Sequence, residues 1–373
     1  MKNWKFESHY NGQRIGVHKE SDECLELHFY EYDDARYIKT FELIPNQFYT
    51  AKVFVSGANI SAQGKCGANI CLYGTWSHSQ EFNFGKGTFQ GDLSVTFRAP
   101  ENGIVTIGLR LGFWCSEAKG SVIFSNFYLN PNEDWVEMGE GTVRLNTSID
   151  VLSLLPIDSV LLWIDHQIIA YEQMKRLYGK PPFEGQIVRY ETRKNIDCYA
   201  FAGNPVVWNL DCMIGFFVDR MDAPQDACFG TIHEMGHNFD MTILTHINCE
   251  LMANFALCYA VENASLPIHF DNAYTVGRGL QDGFYQKCYQ NSIAKGKYHH
   301  DGFLYCLLLI KDKIGWKPFE ITMRNLLKQN LHINNPSKIV EHWFDMLSSV
   351  SNTDVKTLIP PKDVQLILSQ EKY

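Results

Sequence analysis

The feature that most constrains this chain is a change in the spacing of its apolar residues. Up to about residue 130, short runs such as TAKVFVSGANI and IVTIGLRLGFW alternate apolar and polar residues between turns rich in Gly, Asn and Pro. This alternation is typical of antiparallel sandwiches. From about residue 150, apolar residues recur at helical spacing, as in SVLLWIDHQIIAYEQMKRLYG, which ends at Gly179. We therefore predict a multidomain α+β protein.

The same change places the domain boundaries. We predict an antiparallel β-sandwich in residues 1–132 and a mainly helical domain in residues 151–373. Residues 133–150 combine acidic residues and glycines without a clear period, so we predict a linker there. The full length of 373 residues suits two domains of about 100–200 residues each.

Charge and composition argue against a nucleic-acid partner and a membrane span. The formal net charge is −9, without a basic block that could follow a phosphate backbone, so we expect no nucleic-acid partner. No stretch approaches the ~20 apolar residues of a membrane span, so we expect none. Residues 1–20 show no secretory signal, and the 11 cysteines, an odd number without CxxC pairs, fit reduced thiols. These two observations favour an intracellular compartment without deciding it.

The residues with the clearest chemistry form an HExxH motif, His233-Glu234-Met235-Gly236-His237. Residues four apart share one helix face, so both imidazoles can bind one ion while the glutamate reaches the ion's bound water. Zinc lowers the pKa of that water to about 7, and a carboxylate can then take its proton. The motif predicts one Zn²⁺ per chain, with Glu234 as general base. The alternative is a helix whose two histidines serve packing or solvation only.

A catalytic zinc ion needs a third protein ligand from outside the motif. A metzincin would have Gly at 240 and His at 243, whereas this chain has Asp240 and Ile243, so that class is excluded. Glu250 stands 13 positions after His237 at the start of the next predicted helix, and Asn254 follows on the same face. We predict Glu250 as the third ligand, with Asp240 as the competing candidate. Asn254 is predicted to hydrogen-bond a ligating imidazole.

At this point the sequence resembles a known family. GTIHEMGHNFD followed by CELMANFALCYA is similar to the enhancin-like peptidases of family M60, gluzincins with HExxH, a variable gap, a glutamate and, four residues later, an asparagine. YAFAGNPVVW, DGFLYCLLLIKDKIGWKPFE and KIVEHWFDMLSSVSNTDVKTLIP resemble further segments of that family, in order, across roughly residues 150–365. The resemblance implies a zinc peptidase with His233, His237 and Glu250 as ligands and Glu234 as base. It also implies substrates that are O-glycosylated, mucin-like proteins. A secreted or cell-surface location is implied as well, against the intracellular one that the missing signal and the cysteines favour.

The first domain carries a second resemblance. PNQFYTAKVFVSG, FRAPENGIVTIGLRLGFW and GSVIFSNFYLNP follow one another as in jelly-roll carbohydrate-binding modules. This resemblance implies free or protein-linked glycans as partners, bound through aromatic faces. Each candidate aromatic can equally be a core or structural residue. The candidates are Tyr73, Trp76, Phe113 and Trp114.

Two further segments are candidates for substrate binding. One is Gly203, Asn204 and Pro205, whose backbone with Val206 could pair as a sheet edge with an extended peptide. The other is Tyr298, His299 and His300, near a predicted helix start, where the two histidines can equally be a solvated pair.

The leading hypothesis is a zinc endopeptidase acting on O-glycosylated proteins. The alternative is a non-catalytic glycan-binding or scaffold protein with a relic zincin domain. The complete set of HExxH, Glu250 and Asn254 argues against a relic, because decayed zincins usually lose the base or a ligand first.

Overall fold

The computed structural model describes residues 1–9, 16–64, 66–73, 79, 87–113, 116–194, 196, 198–219, 225–239, 248–270, 273–329 and 335–370. These residues form both sheets and helices, which confirms the predicted α+β class. They group into two compact units. The first consists of Met1–Glu137, Asn146–Leu154 and Tyr190–Met213, and the second of Met138–Leu145, Leu155–Arg189 and Ile214–Tyr373. Within the described ranges, every helix is too short or too polar to cross a bilayer.

The period-two runs of the first unit form strands as predicted. They are β1 (Lys5–Ser8), β2 (Val17–Glu20), β3 (Cys24–Asp33), β4 (Ala35–Glu42), β5 (Phe48–Ala62), β6 (Ala68–Leu72), β7 (Thr88–Arg98), β8 (Ile104–Leu111) and β9 (Ala118–Pro131). In the part of the chain that the structure describes, they build two antiparallel sheets. One has the strand order β1-β4-β8-β6 and the other β2-β3-β9-β5-β7.

The two sheets share one hydrophobic core. Leu27 of β3 and Val53 of β5 come from one sheet, Ile70 of β6 and Leu109 of β8 from the other, and all four are fully buried in a single cluster. Each such side chain contributes about 1.5–3 kcal/mol by leaving water, so facing apolar sides hold the sheets together. The arrangement is an antiparallel sandwich. Its jelly-roll connectivity stays a prediction.

The segment predicted as a linker contains two hydrogen-bonded strands, β10 (Trp135–Met138) and β11 (Val143–Ser148). They join β12 (Val188–Arg193), β13 (Ala200–Phe201) and β14 (Val206–Asn209) in a sheet of order β10-β11-β12-β14-β13. The buried Asn146 amide donates to the buried Glu191 carboxylate at 3.0 Å between β11 and β12. Strands this short repeat an alternation too few times for the sequence to show it. The boundaries at 132 and 151 remain a prediction.

The helices and the remaining strands follow the chain from residue 149. They are α1 (Ile149–Leu152), α2 (Ile157–Tyr178), α3 (Leu210–Ile214), α4 (Phe229–Phe239), α5 (Cys249–Ala264), β15 (Pro267–Phe270), β16 (Ala273–Val276), α6 (Gln286–Asn291), α7 (His300–Ile314), α8 (Lys317–Lys328), α9 (Pro336–Ser351) and α10 (Pro361–Leu368). Helix α2 ends where the sequence predicts, because Gly179 takes a left-handed conformation with φ 75° and its N–H donates to the Lys175 carbonyl.

Helix α5 is the central helix of the second unit. Its residues from Leu251 to Val261 are all buried, and it packs against α2, α4 and α7. A helix that is apolar on every side is stable only when other elements cover it completely. Its first turn, which carries Glu250, is therefore fixed relative to α4 and α7.

Candidate metal centre

Helix α4 carries the HExxH motif, and α2 holds its N-terminal end in place. The Trp163 indole N–H donates to the Thr231 hydroxyl at 3.2 Å, and the Gln167 side-chain amide donates to the Ala227 carbonyl at 2.7 Å. Both donors belong to buried residues of α2. Leaving either donor buried and unpaired would cost about 1–3 kcal/mol, so these bonds define the position of α4.

Three side chains converge between α4 and α5. His233 Nε2 and His237 Nε2 are 3.1 Å apart, and each faces the Glu250 carboxylate, at 3.0 Å from His233 and 3.6 Å from His237. Zinc–ligand bonds of about 2.0–2.1 Å in tetrahedral geometry place neighbouring ligand atoms roughly 3.3 Å apart. The three observed separations scatter around this value. The residues present therefore fit a zinc ion.

The hydrogen bonds of Asn254 define the tautomer of His233. The Asn254 amide nitrogen donates to the Asp301 carboxylate at 3.1 Å, so the Asn254 oxygen faces His233 and accepts from its Nδ1–H at 2.7 Å. A neutral imidazole with its proton on Nδ1 keeps a lone pair on Nε2. That lone pair lies on the side of His237 and Glu250, as a metal ligand requires. The structure thus brings Asn254 to an imidazole of the motif, as the sequence predicts.

The hydrogen-bond chain ends on Asp301, a residue that sequence reasoning missed. Asp301 is 8% exposed and lies in the first turn of α7. Its backbone N–H donates to Nδ1 of His299, the N-cap residue of that helix, at 3.2 Å. One signal could have found it, because a carboxylate in the first turn of a helix is stabilised by the unpaired backbone N–H groups. The long-range contact itself carries no sequence signal.

The electrostatics of the three converging side chains favour a positive charge among them. Hydrogen bonds from His233 and His237 hold the pKa of Glu250 well below its ordinary value, although burial opposes this. Burial lowers the pKa of His233, but its bond to Glu250 and the nearby Glu234 charge outweigh burial and raise that pKa. A proton on His233 Nε2 and a metal ion therefore compete for one place.

Local structure places each residue of this centre. Asn248 caps α5 by accepting from the Leu251 N–H at 2.9 Å, and Glu250 lies in the favourable first turn, where the sequence predicts it. Gly236 lies where α4 meets α5, and a Cβ on it would be 2.7 Å from the Ala253 carbonyl oxygen. Only glycine permits this approach. The importance of Gly236 was not evident from the sequence.

An aromatic residue, Phe229, and an acidic residue, Glu234, lie beside His233 on α4. The Phe229 ring lies nearly parallel to the His233 ring, at 6.0 Å and 14°, and stacks on Phe270 at 4.1 Å. Glu234 is half-buried on α4 beside His233, and its charge acts on that imidazole. Asp240, the competing third ligand, lies outside the described residues.

The predicted substrate-binding residues divide between the two units. His299 and His300 stack on each other at 4.5 Å beside Asp301, next to the hydrogen-bond chain of the metal centre. Tyr298 precedes them and packs near Phe303 at 6.4 Å. Their role with substrate stays a prediction.

The segment Gly203, Asn204 and Pro205 belongs to the first unit and connects β13 to β14. Val206 begins β14 and pairs with Tyr190 of β12, while β13 pairs with Val207 and Trp208 of the same strand. Pairing of residues 203–206 with an extended peptide stays a prediction. Substrate binding by residues 203–205 stays a prediction.

The predicted glycan-binding aromatics differ in exposure. Tyr73 is 47% exposed, with the Arg36 guanidinium 4.7 Å from its ring centroid. Phe113 is 9% exposed and packs with Cys66 and Cys71, which fits its alternative interpretation as a core residue. Trp76 and Trp114 lie outside the described residues.

A shallow groove on the outward face of the sandwich was not anticipated. It has a volume of about 390 Å³ and runs across β5, β7 and β9. Tyr128, 57% exposed, presents an aromatic face there, while Lys52 and Asp92 form an ion pair at 2.9 Å. The side-chain amides of Asn126 and Asn130 also line the groove. A flat ring surrounded by amides and charges can bind a sugar by stacking and hydrogen bonding.

Comparison with known proteins leaves the family open. No family model and no curated protein matches the chain. A functionally unknown conserved protein from Bacillus anthracis matches at 13% identity and TM-score 0.48, over 90% of this chain and 80% of that chain. The M60 catalytic domain of Clostridium perfringens ZmpC, in complex with the sialyl T antigen, matches at 13% identity and TM-score 0.41, over 90% of this chain and 75% of that chain. A metallopeptidase from Bacteroides thetaiotaomicron matches at 13% identity and TM-score 0.42, over 84% of this chain and 63% of that chain. Similarity this low establishes neither family nor activity.

Proposed function

We propose that the chain is a zinc-dependent endopeptidase of the gluzincin type, similar to family M60. One Zn²⁺ is held by His233, His237 and Glu250. The observation that carries the proposal is the convergence of these three ligand atoms at 3.0–3.6 Å, with Nδ1 of His233 bonded to Asn254 so that its Nε2 faces the other two. A pair of packing histidines would not need a carboxylate and a fixed tautomer at the same point.

The chemistry follows from the positions of the residues. When bound, zinc acts as a Lewis acid and lowers the pKa of its water to about 7. Glu234, between the two histidines on α4, accepts a proton from the attacking water on its carboxylate and delivers it to the departing amide nitrogen. Water adds to the carbonyl carbon, the C–N bond breaks, and no other reactant is consumed. Asn254 and Asp301 keep the His233 ring in the ligating orientation.

The substrate class in this proposal is O-glycosylated, mucin-like protein. The resemblance of residues 150–365 to family M60 supports it. The groove beside Tyr128 supports a role for the first unit in binding the glycans of such a substrate. The rival function, a glycan-binding scaffold with a relic zincin domain, would use the same groove without turnover.

Metal analysis and a matched active-site variant decide between these functions. We expect one zinc per chain in both the wild type and Glu234→Gln, and cleavage of a mucin glycopeptide by the wild type only. Glu250→Ala should lose zinc, because it removes one of three ligands. Full zinc affinity in Glu250→Ala would show that another residue, such as Asp240, is the third ligand. Zinc bound by a wild type that cleaves no mucin peptide would favour the scaffold.

A further inference from the structure

A cleft rich in basic residues lies where the last turns of α2 and α8 come together, and the proposed peptidase chemistry does not use it. Its volume is about 600 Å³. Five cationic side chains line it with one carboxylate, in a chain whose net charge is −9. These residues are Lys175, Arg176, Lys180, Arg324, Lys328 and Glu172.

Ion pairs neutralise only part of this charge. Lys175 pairs with Glu172 at 3.1 Å, and Arg176 pairs with Glu320 at 3.3 Å. Within the described ranges, no carboxylate pairs with any of the other three cations. Those three are Lys180, Arg324 and Lys328.

The ordinary explanation for such residues is compensation of helix dipoles. A helix C-terminus carries about half a negative charge, so the two ends that meet at the cleft account for roughly one positive charge. Three unpaired cations exceed this by roughly two charges. The surplus matches a dianion.

The Arg324 guanidinium is held in place, unlike a mobile surface side chain. Its Nη2 donates to the Arg176 carbonyl at 2.7 Å, which ties the guanidinium across the end of α2. Gly179 makes room for it, since a Cβ there would lie 2.6 Å from the Arg324 Cγ. The Arg324 Nε is buried and has no hydrogen-bond partner among the described residues. A held guanidinium loses less entropy on binding an oxyanion than a free one does.

We propose that this cleft binds a dianionic tetrahedral oxyanion, sulfate or phosphate, as the free ion or as an ester on a larger ligand. Arg324 supplies a planar N–H donor group, and Lys180 and Lys328 supply charge from either side. Guanidinium and ammonium groups are the usual protein partners of these anions. The proposal is independent of the metal centre and of the peptidase function.

Calorimetric titration of the full chain at constant ionic strength tests this proposal, with sodium sulfate and sodium phosphate as probes and sodium chloride as the reference salt. We expect saturable binding of one dianion per chain. Lys180→Gln with Lys328→Gln should weaken it roughly tenfold or more, because charge-assisted hydrogen bonds are lost. Arg324→Lys, which keeps the charge and loses the planar donor group, should weaken it several-fold.

The matched control is Lys313→Gln with Lys338→Gln. It makes the same change in net charge at two exposed lysines of α7 and α9 that do not line the cleft. Unchanged binding in this control supports the site. Equal weakening in both double variants, or no saturable binding by the wild type, overturns it.

The two sources of the anion are separated by parallel titrations with galactose 6-sulfate and glucose 6-phosphate. Tighter binding of a sugar ester than of the free ion assigns an ester ligand. Tighter binding of the free ion assigns a free anion. In either case, the double variant at Lys180 and Lys328 must also bind more weakly than the wild type.

Discussion

Replacing Gly236 by alanine tests whether the close approach of α4 and α5 determines the ligand geometry. The new Cβ would lie 2.7 Å from the Ala253 carbonyl oxygen and 3.0 Å from the Ala253 Cα. Both are backbone atoms, so they cannot move aside as the end of a flexible side chain can. Carbon atoms pack best at about 3.5–4.0 Å, so the two helices must separate locally by roughly 0.5 Å or more.

The expected effect on stability is small, and the expected effect on the metal is larger. Overpacking costs about 1–3 kcal/mol, while alanine gains about 1 kcal/mol over glycine in helix propensity, so the free energy of unfolding should fall by roughly 0–2 kcal/mol. Metal–ligand distances tolerate only about ±0.2 Å. We therefore expect Glu250 to be displaced from His233 and His237, and zinc affinity to fall by about 10–100-fold.

The assay is competition for zinc with a chromophoric chelator, beside urea unfolding of the metal-free protein. The control is Gly283→Ala, a glycine in a helical segment with open space around its Cβ position, which should bind zinc as the wild type does. Wild-type zinc affinity in Gly236→Ala would refute the reasoning, because the helix approach would then not position the third ligand.

Three further predictions concern other parts of the molecule. Asp301→Ala should lower zinc affinity by about tenfold while the fold is retained, and Asp301→Asn should lower it less. Competition with a chelator measures both affinities. Unchanged zinc affinity in Asp301→Ala would show that Asp301 does not support the site. Burial raises the pKa of Asp312, but hydrogen bonds from Arg278 and other neighbours of Asp312 outweigh burial and lower this pKa. The stabilisation of the fold by the Asp312 carboxylate is therefore complete above the ordinary pKa of 3.8. It disappears as the pH falls through the lower folded-state pKa. Urea unfolding should thus find Asp312→Asn less stable than the wild type at pH 7, with a gap that narrows in acid; a constant gap would contradict this. Tyr128→Ala should weaken binding of mucin glycopeptides by about tenfold, whereas Tyr30→Ala, 70% exposed outside the groove, should not; equal retention of both variants on a mucin column would count against the groove.

Local patterns predicted the parts of this structure that depend on neighbours in sequence. The run TAKVFVSGANI lies within β5, and α2 ends at Gly179, because alternation and a left-handed cap are properties of short segments. The same holds for the two histidines of one helix face and for Glu250 in the first turn of α5.

Contacts between segments that are distant in the chain could not be predicted from a single sequence. Asp301 meets Asn254 across 47 positions, and nothing in either neighbourhood specifies the other. The packing of Gly236 on Ala253 is another such contact. The groove on the outward face of β5 and β9 depends on how these strands are registered, which alternation along one strand does not determine.

Strands β10 and β11 have a consequence for any attempt to produce the second part of the chain alone. A fragment beginning at residue 151 would lack both strands and leave the unpaired N–H and C=O groups of β12 on an open edge. Open edges pair with those of other molecules, so such a fragment should aggregate even though α4 and α5 are complete in it. A fragment that begins before Trp135 keeps that edge covered by its native partners.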